Sequence, residues 1–236
     1  MPNWCSTSIW LRCPNKKTAV AVEKKINELL SKQFAMNDFD SKDQFCWLGN
    51  IVGNAGFVDE SQPEDCGFLY RCRGIVTYVG INPTWDIENT NTVCIDTETA
   101  WVPMLRMWTA FLDKFFQDKE IKLEYVSAEP GCELYWTNSQ DFKGKYSIEY
   151  LDSNEDGIIV VDSLSENDVL SNLTSQMLNQ NPHAIEEIRK NGGDINSIDA
   201  VYAELTKSKY SGFEYSGFEE YLSITKWEFV DPNDCD

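Results

Sequence analysis

The sequence predicts an α+β fold: a split β-α-β sandwich with an extended antiparallel sheet, helices on one face, and an acidic helical insertion near the C-terminus. Three observations predict it. Strand-like runs come singly or in short series, and two amphipathic helical patterns separate them in the order strand, helix, strands, helix, strands. With 236 residues, 42% of them hydrophobic and 13% aromatic, the chain can bury a sizeable core and is too apolar to be disordered. Its charge is uneven, and the acidic surplus peaks in one late helical stretch.

Trp4 to Cys13 is β-branched and aromatic and ends at Pro14, as a strand does. Pro14-Asn15 then opens a helix: Ala19, Val22, Ile26, Leu29 and Leu30 share one face, while Lys24, Lys25 and Glu28 fall elsewhere, to about Lys32. Phe34 to Asp65 holds Gly49, Gly53, Gly56 and Pro63 and is expected to be loop with one short strand near Phe45 to Leu48. Within it, Gly49-Asn50-Ile51-Val52-Gly53 has the look of a weak glycine loop.

Phe68 to Val79 and Thr92 to Thr97 are the next two strands, joined by a long link containing Pro83 and Trp85. The strongest helix follows. Trp101, Met104, Leu105, Trp108, Leu112, Phe115 and Phe116 repeat at i, i+3, i+4 and i+7, and Pro103 suits a first helical turn. Such an aromatic stripe is read as core.

Ile121 to Val126, Glu133 to Asn138, Tyr146 to Leu151 and Gly157 to Asp162 are four further strand-like runs, expected to form an antiparallel meander. Ser165 with Asp168 resembles a capping box, and a helical pattern runs from there to about Lys207, broken at Pro182 and at Gly192-Gly193. The tandem Ser-Gly-Phe-Glu at Ser211 and Ser216 reads as a turn into a last strand, Tyr221 to Phe229. Residues 1–162 are thus expected to form an α+β core, 163–210 an acidic helical insertion packed on it, and 211–236 a final strand and tail, all in a single compact domain.

Three short passages resemble one known family. Met1-Pro2-Asn3-Trp4-Cys5, Thr99-Ala100-Trp101-x-Pro103, and Leu123-Glu124-Tyr125 followed by Glu129-Pro130-Gly131 look like the YubB-type ferredoxin-like family of phages, plasmids and integrated elements. The resemblance spans roughly the first 150 residues and stops before the acidic helices. It implies a ferredoxin-like fold and a mobile-element origin, and it brings no established activity.

Thirty-nine acidic residues face 20 basic ones and a single histidine, a formal charge of -19 at pH 7. Nucleic-acid phosphates and anionic lipid are repelled by such a surface. Residues 1–50 are slightly basic, whereas 151–200 hold 2 basic against 10 acidic residues. The surplus serves either solvation alone or a surface that meets a basic partner, for which Asp59, Glu60, Glu64, Asp65, Asp152, Glu155, Asp156, Asp162, Glu166 and Asp168 are the candidates. The expected partner is a basic host protein, most concretely a nucleic-acid-binding defence complex whose positively charged channel an acidic surface would occupy by mimicry.

Catalytic signals are sparse. His183 is the only histidine and follows Asn181-Pro182 at a helix start, where a solvent-facing position is expected. No phosphate loop or dinucleotide fingerprint occurs. The eight cysteines are dispersed without a Cys-x-x-Cys and are expected to be reduced core residues, so neither zinc nor a disulfide scaffold is read. Asp152-x-Asn154-x-Asp156-Gly157 matches half a calcium loop, but Ser163 stands where a bidentate Glu is needed and the flanks read as strands, so a hairpin turn fits better. No cofactor is expected. Spacing does not encode which carboxylates converge, so a small-molecule enzyme or sensor using carboxylates in a groove stays open as the alternative, with a calcium-binding or purely structural protein behind it. No apolar run is long enough to span a bilayer, and the opening residues lack a basic and apolar leader, so a cytoplasmic protein is expected.

Overall fold

The computed structural model describes residues 4–34, 46–58, 68–70, 72–81, 91–129, 134–151, 158–180, 183–190, 192–205 and 223–235. It is a mixed α+β protein with mostly antiparallel sheets, and it divides into two compact units, Met1–Ser139 with Phe229–Asp236, and Gln140–Glu228.

In the first unit, β1 (Trp4–Arg12) leads to α1 (Lys16–Leu30) and α2 (Leu48–Asn54), then β2 (Gly74–Ile81), β3 (Thr92–Ala100), α3 (Leu105–Phe116), β4 (Lys122–Glu129) and β5 (Leu134–Thr137). Together with β9 (Glu228–Phe229) they form a six-stranded sheet in the order β2-β3-β1-β4-β5-β9. β1 is the centre, antiparallel to both β3 and β4. Its burial alternates with the pleat: Cys5, Thr7, Ile9 and Leu11 are buried, while Trp4 and Ser6 on the other face are exposed. The buried face meets the helices. Val22, Ile26 and Leu29 of α1 and Leu105, Trp108 and Phe111 of α3 share one core with Ile9, Leu11, Val93, Ile95 and Tyr125.

Capping fixes where α1 begins. Asn15 is extended, and its side chain accepts from the Thr18 amide at 2.9 Å, satisfying one of the first-turn donors. The helix expected from Trp101 starts only at Leu105: the chain bends at Trp101 and Val102, and Pro103 stands two residues before the first helical residue instead of in the first turn.

The short strand expected near Phe45 to Leu48 is not formed by its described residues, and the glycine loop beside it is a helix. Leu48, Ile51, Val52 and Ala55 repeat at helical spacing and are buried, and that burial outweighs the low helix propensity of Gly49 and Gly53. Both glycines answer to packing. A β-carbon at Gly49 would come within 2.2 Å of the Trp47 ring, and one at Gly53 within 2.2 Å of the Phe34 ring. The strand expected from Phe68 instead begins at Gly74, because Phe68 joins the aromatic cluster of Phe34 and Trp47 and bridges to Val58.

The second unit holds β6 (Tyr146–Leu151), β7 (Ile158–Leu164), α4 (Glu166–Gln180), α5 (Ala184–Lys190), α6 (Ile198–Leu205) and β8 (Ser223–Lys226). Its three strands pair as β7-β6-β8. The expected four-strand meander is therefore two hairpins in two sheets, β4-β5 and β6-β7. The expected last strand divides as well: β8 pairs with β6, the Trp227 amide donates to the Lys145 carbonyl at 2.9 Å, and β9 edges the six-stranded sheet. Val169, Leu173, Ile188, Val201 and Ile148 form a second core. The late helical pattern is three helices, with Gly192 at φ 77 in the break between α5 and α6.

Candidate functional site

Two regions stand out, one in each unit. In the first, the helix-side face of the sheet changes character along its length. Beyond the apolar rows, two successive cross-strand rows turn small and polar. One aligns Val76, Thr97, Thr7 and Ser127, and the next aligns Gly74, Thr99 and Cys5. Glu129 follows Ala128, the partner of Ser6, and so carries the Cys5 row across β4 to its partner Leu134 on β5. Cys5, Thr7, Thr97, Thr99, Ser127 and Glu129 are all buried.

Most of these groups satisfy one another. Thr7 Oγ1 lies 2.7 Å and Cys5 Sγ 3.0 Å from Ser127 Oγ, and the Thr99 hydroxyl donates to the Val102 carbonyl at 2.8 Å. Glu129 is the exception. Its side chain is buried at 3% exposure, and its Oε2 has no hydrogen-bond partner. Burial pushes the Cys5 thiol above its ordinary range, bonds from Ser127 and Thr7 oppose that, and the Glu129 charge adds to it. Cys5 is thus held as a thiol, the form that does not attack.

At the same end of the sheet, Trp101 follows β3 with φ 77, a backbone conformation disfavoured for a bulky residue, and its side chain is 47% exposed. Trp4, paired with Ala100, is 50% exposed on the opposite face. Two of the passages quoted for the family resemblance pair here, Cys5 with Thr99 and Trp4 with Ala100, whereas Tyr125 of the Leu123-Glu124-Tyr125 passage pairs with Ile9 further along β1; Met1, Pro2, Asn3, Pro130 and Gly131 lie outside the described residues.

The second region is the helical layer of the second unit, whose 89 residues carry 17 acidic against 7 basic side chains. Glu166 and Asp168 lie exposed in the first turn of α4, the only two of the ten sequence candidates whose side chains are described. Asp162 falls in β7. Asp59, Glu60, Glu64, Asp65, Asp152, Glu155 and Asp156 lie outside the described residues, as does most of the half calcium loop. To Glu166 and Asp168 the structure adds Glu186, Asp194 and Asp199 as exposed carboxylates on or between α5 and α6, which are not among the ten sequence candidates. The acidic first turns that recur in α4, α5 and α6 were the available signal.

Ser165 and Asp168 form a reciprocal cap. The Asp168 amide donates to Ser165 Oγ at 3.2 Å, and the Ser165 amide donates to Asp168 Oδ2 at 3.1 Å. Bonds from the Ser165 hydroxyl and then its amide hold the Asp168 carboxyl below the usual carboxylate range. His183 is 78% exposed and lies 3.7 Å from Glu186. Among the described residues no three His, Cys, Asp or Glu side chains converge as metal ligands, and no helix is long and apolar enough to cross a membrane. Of the six described cysteines, Cys5, Cys13, Cys72, Cys94 and Cys235 are buried and Cys46 is exposed, all as free thiols.

No protein-family model, curated protein or solved structure matches this chain.

Proposed function

We propose that the chain is a non-enzymatic acidic binding protein of a phage or mobile element, built on a ferredoxin-like first unit, whose second unit engages a basic host protein. One observation carries the binding assignment. Glu166, Asp194 and Asp199 stand exposed on the helical layer without a lysine or arginine bound to them among the described residues, so their charge is available to a partner. The ferredoxin-like assignment is supported by the order β2-β3-β1-β4, with α1 between β1 and β2 and α3 between β3 and β4. The mobile-element origin rests on the resemblance of the first 150 residues or so.

In its most concrete form the acidic layer imitates the phosphate rows of a nucleic acid and occupies the positively charged channel of a host defence complex. Long-range attraction of this kind is screened within roughly 10 Å at 0.1 M salt. A pull-down from host lysate at stepped ionic strength tests it. A basic partner released by raised salt supports the proposal, and capture that is indifferent to salt, or that recovers no basic protein, sinks it.

A further inference from the structure

The two polar rows at the end of the first sheet contain one acceptor that the chain itself leaves open. Thr7, Ser127, Cys5 and Thr99 satisfy each other or the Val102 carbonyl, whereas Glu129 Oε2 is buried and unpartnered. A carboxylate withdrawn from water is strongly disfavoured unless a cation or a set of donors meets it. No lysine, arginine or histidine among the described residues does so. Beside Glu129, Ser127 on the same face of β4 and Cys5 on β1 are small, and Leu134 is the acid's partner on β5.

We propose that this end of the sheet binds a small molecule through a protonated amine, which donates to Glu129 Oε2 and neutralises its charge. The chemistry of the row favours an amine over a divalent metal. One carboxylate beside hydroxyls already engaged with each other falls short of the six to eight oxygens that calcium takes, and among the described residues no ligand cluster accompanies it. A neutral N–H donor would leave the buried charge uncompensated, which an ammonium does not. The site belongs to the first unit and is independent of the acidic helical layer, so either proposal can fail alone.

Titration of the full chain with methylammonium, ethanolamine and putrescine chlorides, against potassium chloride at matched ionic strength, tests this by thermal shift and calorimetry. At least one amine should raise the wild-type melting temperature beyond the potassium control, and Glu129→Gln should weaken its binding by about tenfold or more. Glu124→Gln, which removes a carboxylate paired with Arg12 at 2.7 Å, should bind as wild type does. If Glu129→Gln fails to fold, the infrared carboxyl band of the wild-type protein decides. A buried carboxylate band that shifts on adding amine supports the proposal, and a protonated carboxyl unchanged by amine overturns it. No effect of any amine beyond potassium, or equal responses from the Glu124 and Glu129 variants, overturns it equally.

Discussion

The hydroxyls of Thr7 and Ser127 lie 2.7 Å apart across the β1-β4 pair, joining positions 120 residues apart in sequence. Both are buried, and Ser127 also meets the Cys5 thiol, so removing one partner leaves a polar group facing a protein interior. Thr7→Val and Ser127→Ala should each cost about 1–3 kcal/mol, and the double variant should cost less than their sum. Urea unfolding of the four proteins of the cycle measures this, and strict additivity would show that the two hydroxyls do not interact.

Tyr125 ties the C-terminal segment to the sheet. Its hydroxyl donates to the Val230 carbonyl at 3.0 Å and lies 3.3 Å from Cys235 Sγ, and burial raises the phenol well above its usual range. Tyr125→Phe keeps the ring in the core and removes both contacts, so about 1–2 kcal/mol of stability should be lost. Hydrogen exchange should show faster opening at Val230, and unchanged protection there would contradict this account of the anchor.

The Ser165-Asp168 cap makes the start of α4 sensitive to acid. A carboxyl whose folded value is depressed stabilises the fold above its ordinary range, and the benefit is lost as pH falls through the lowered value. Ser165→Ala removes the acceptor for the Asp168 amide and should cost about 1 kcal/mol. The difference between wild type and variant should shrink on acidification; a gap independent of pH would show that the Asp168 charge takes no part.

Cysteine labelling should separate by environment. Cys46 is exposed, whereas burial raises Cys13 to about 11 and lifts Cys5 as well. In native protein a thiol reagent should modify Cys46 quickly and reach Cys5, Cys13 and Cys235 only on unfolding. Mass mapping of the labelled peptides checks it, and rapid labelling of Cys5 in folded protein would mean that its row opens to solvent.

Much of the fold is legible from periodicity. α1 and the Tyr146–Leu151 strand are legible almost at their bounds because apolar spacing and flanking turn residues agree there. The α2 helix was hidden by its glycines, whose reason lies in the rings of Trp47 and Phe34, contacts no local pattern contains. Division of the later strands between two sheets was equally hidden, since a hairpin reads the same in either. Of the candidate sites, the acidic turn of α4 was visible as composition. The row of Cys5, Thr99 and Glu129 was visible only as fragments, because cross-strand register, not spacing along the chain, assembles it.

The central claim, that the acidic helical layer mimics nucleic acid toward a basic partner, is tested most directly by competition. The partner captured from host lysate is challenged with duplex DNA, using wild type and a variant carrying Glu166→Gln, Glu186→Gln, Asp194→Asn and Asp199→Asn. Duplex DNA should displace the wild-type protein, and the variant should bind at least about tenfold more weakly with a shallower salt dependence. Binding that survives both the DNA and the four substitutions would contradict the claim.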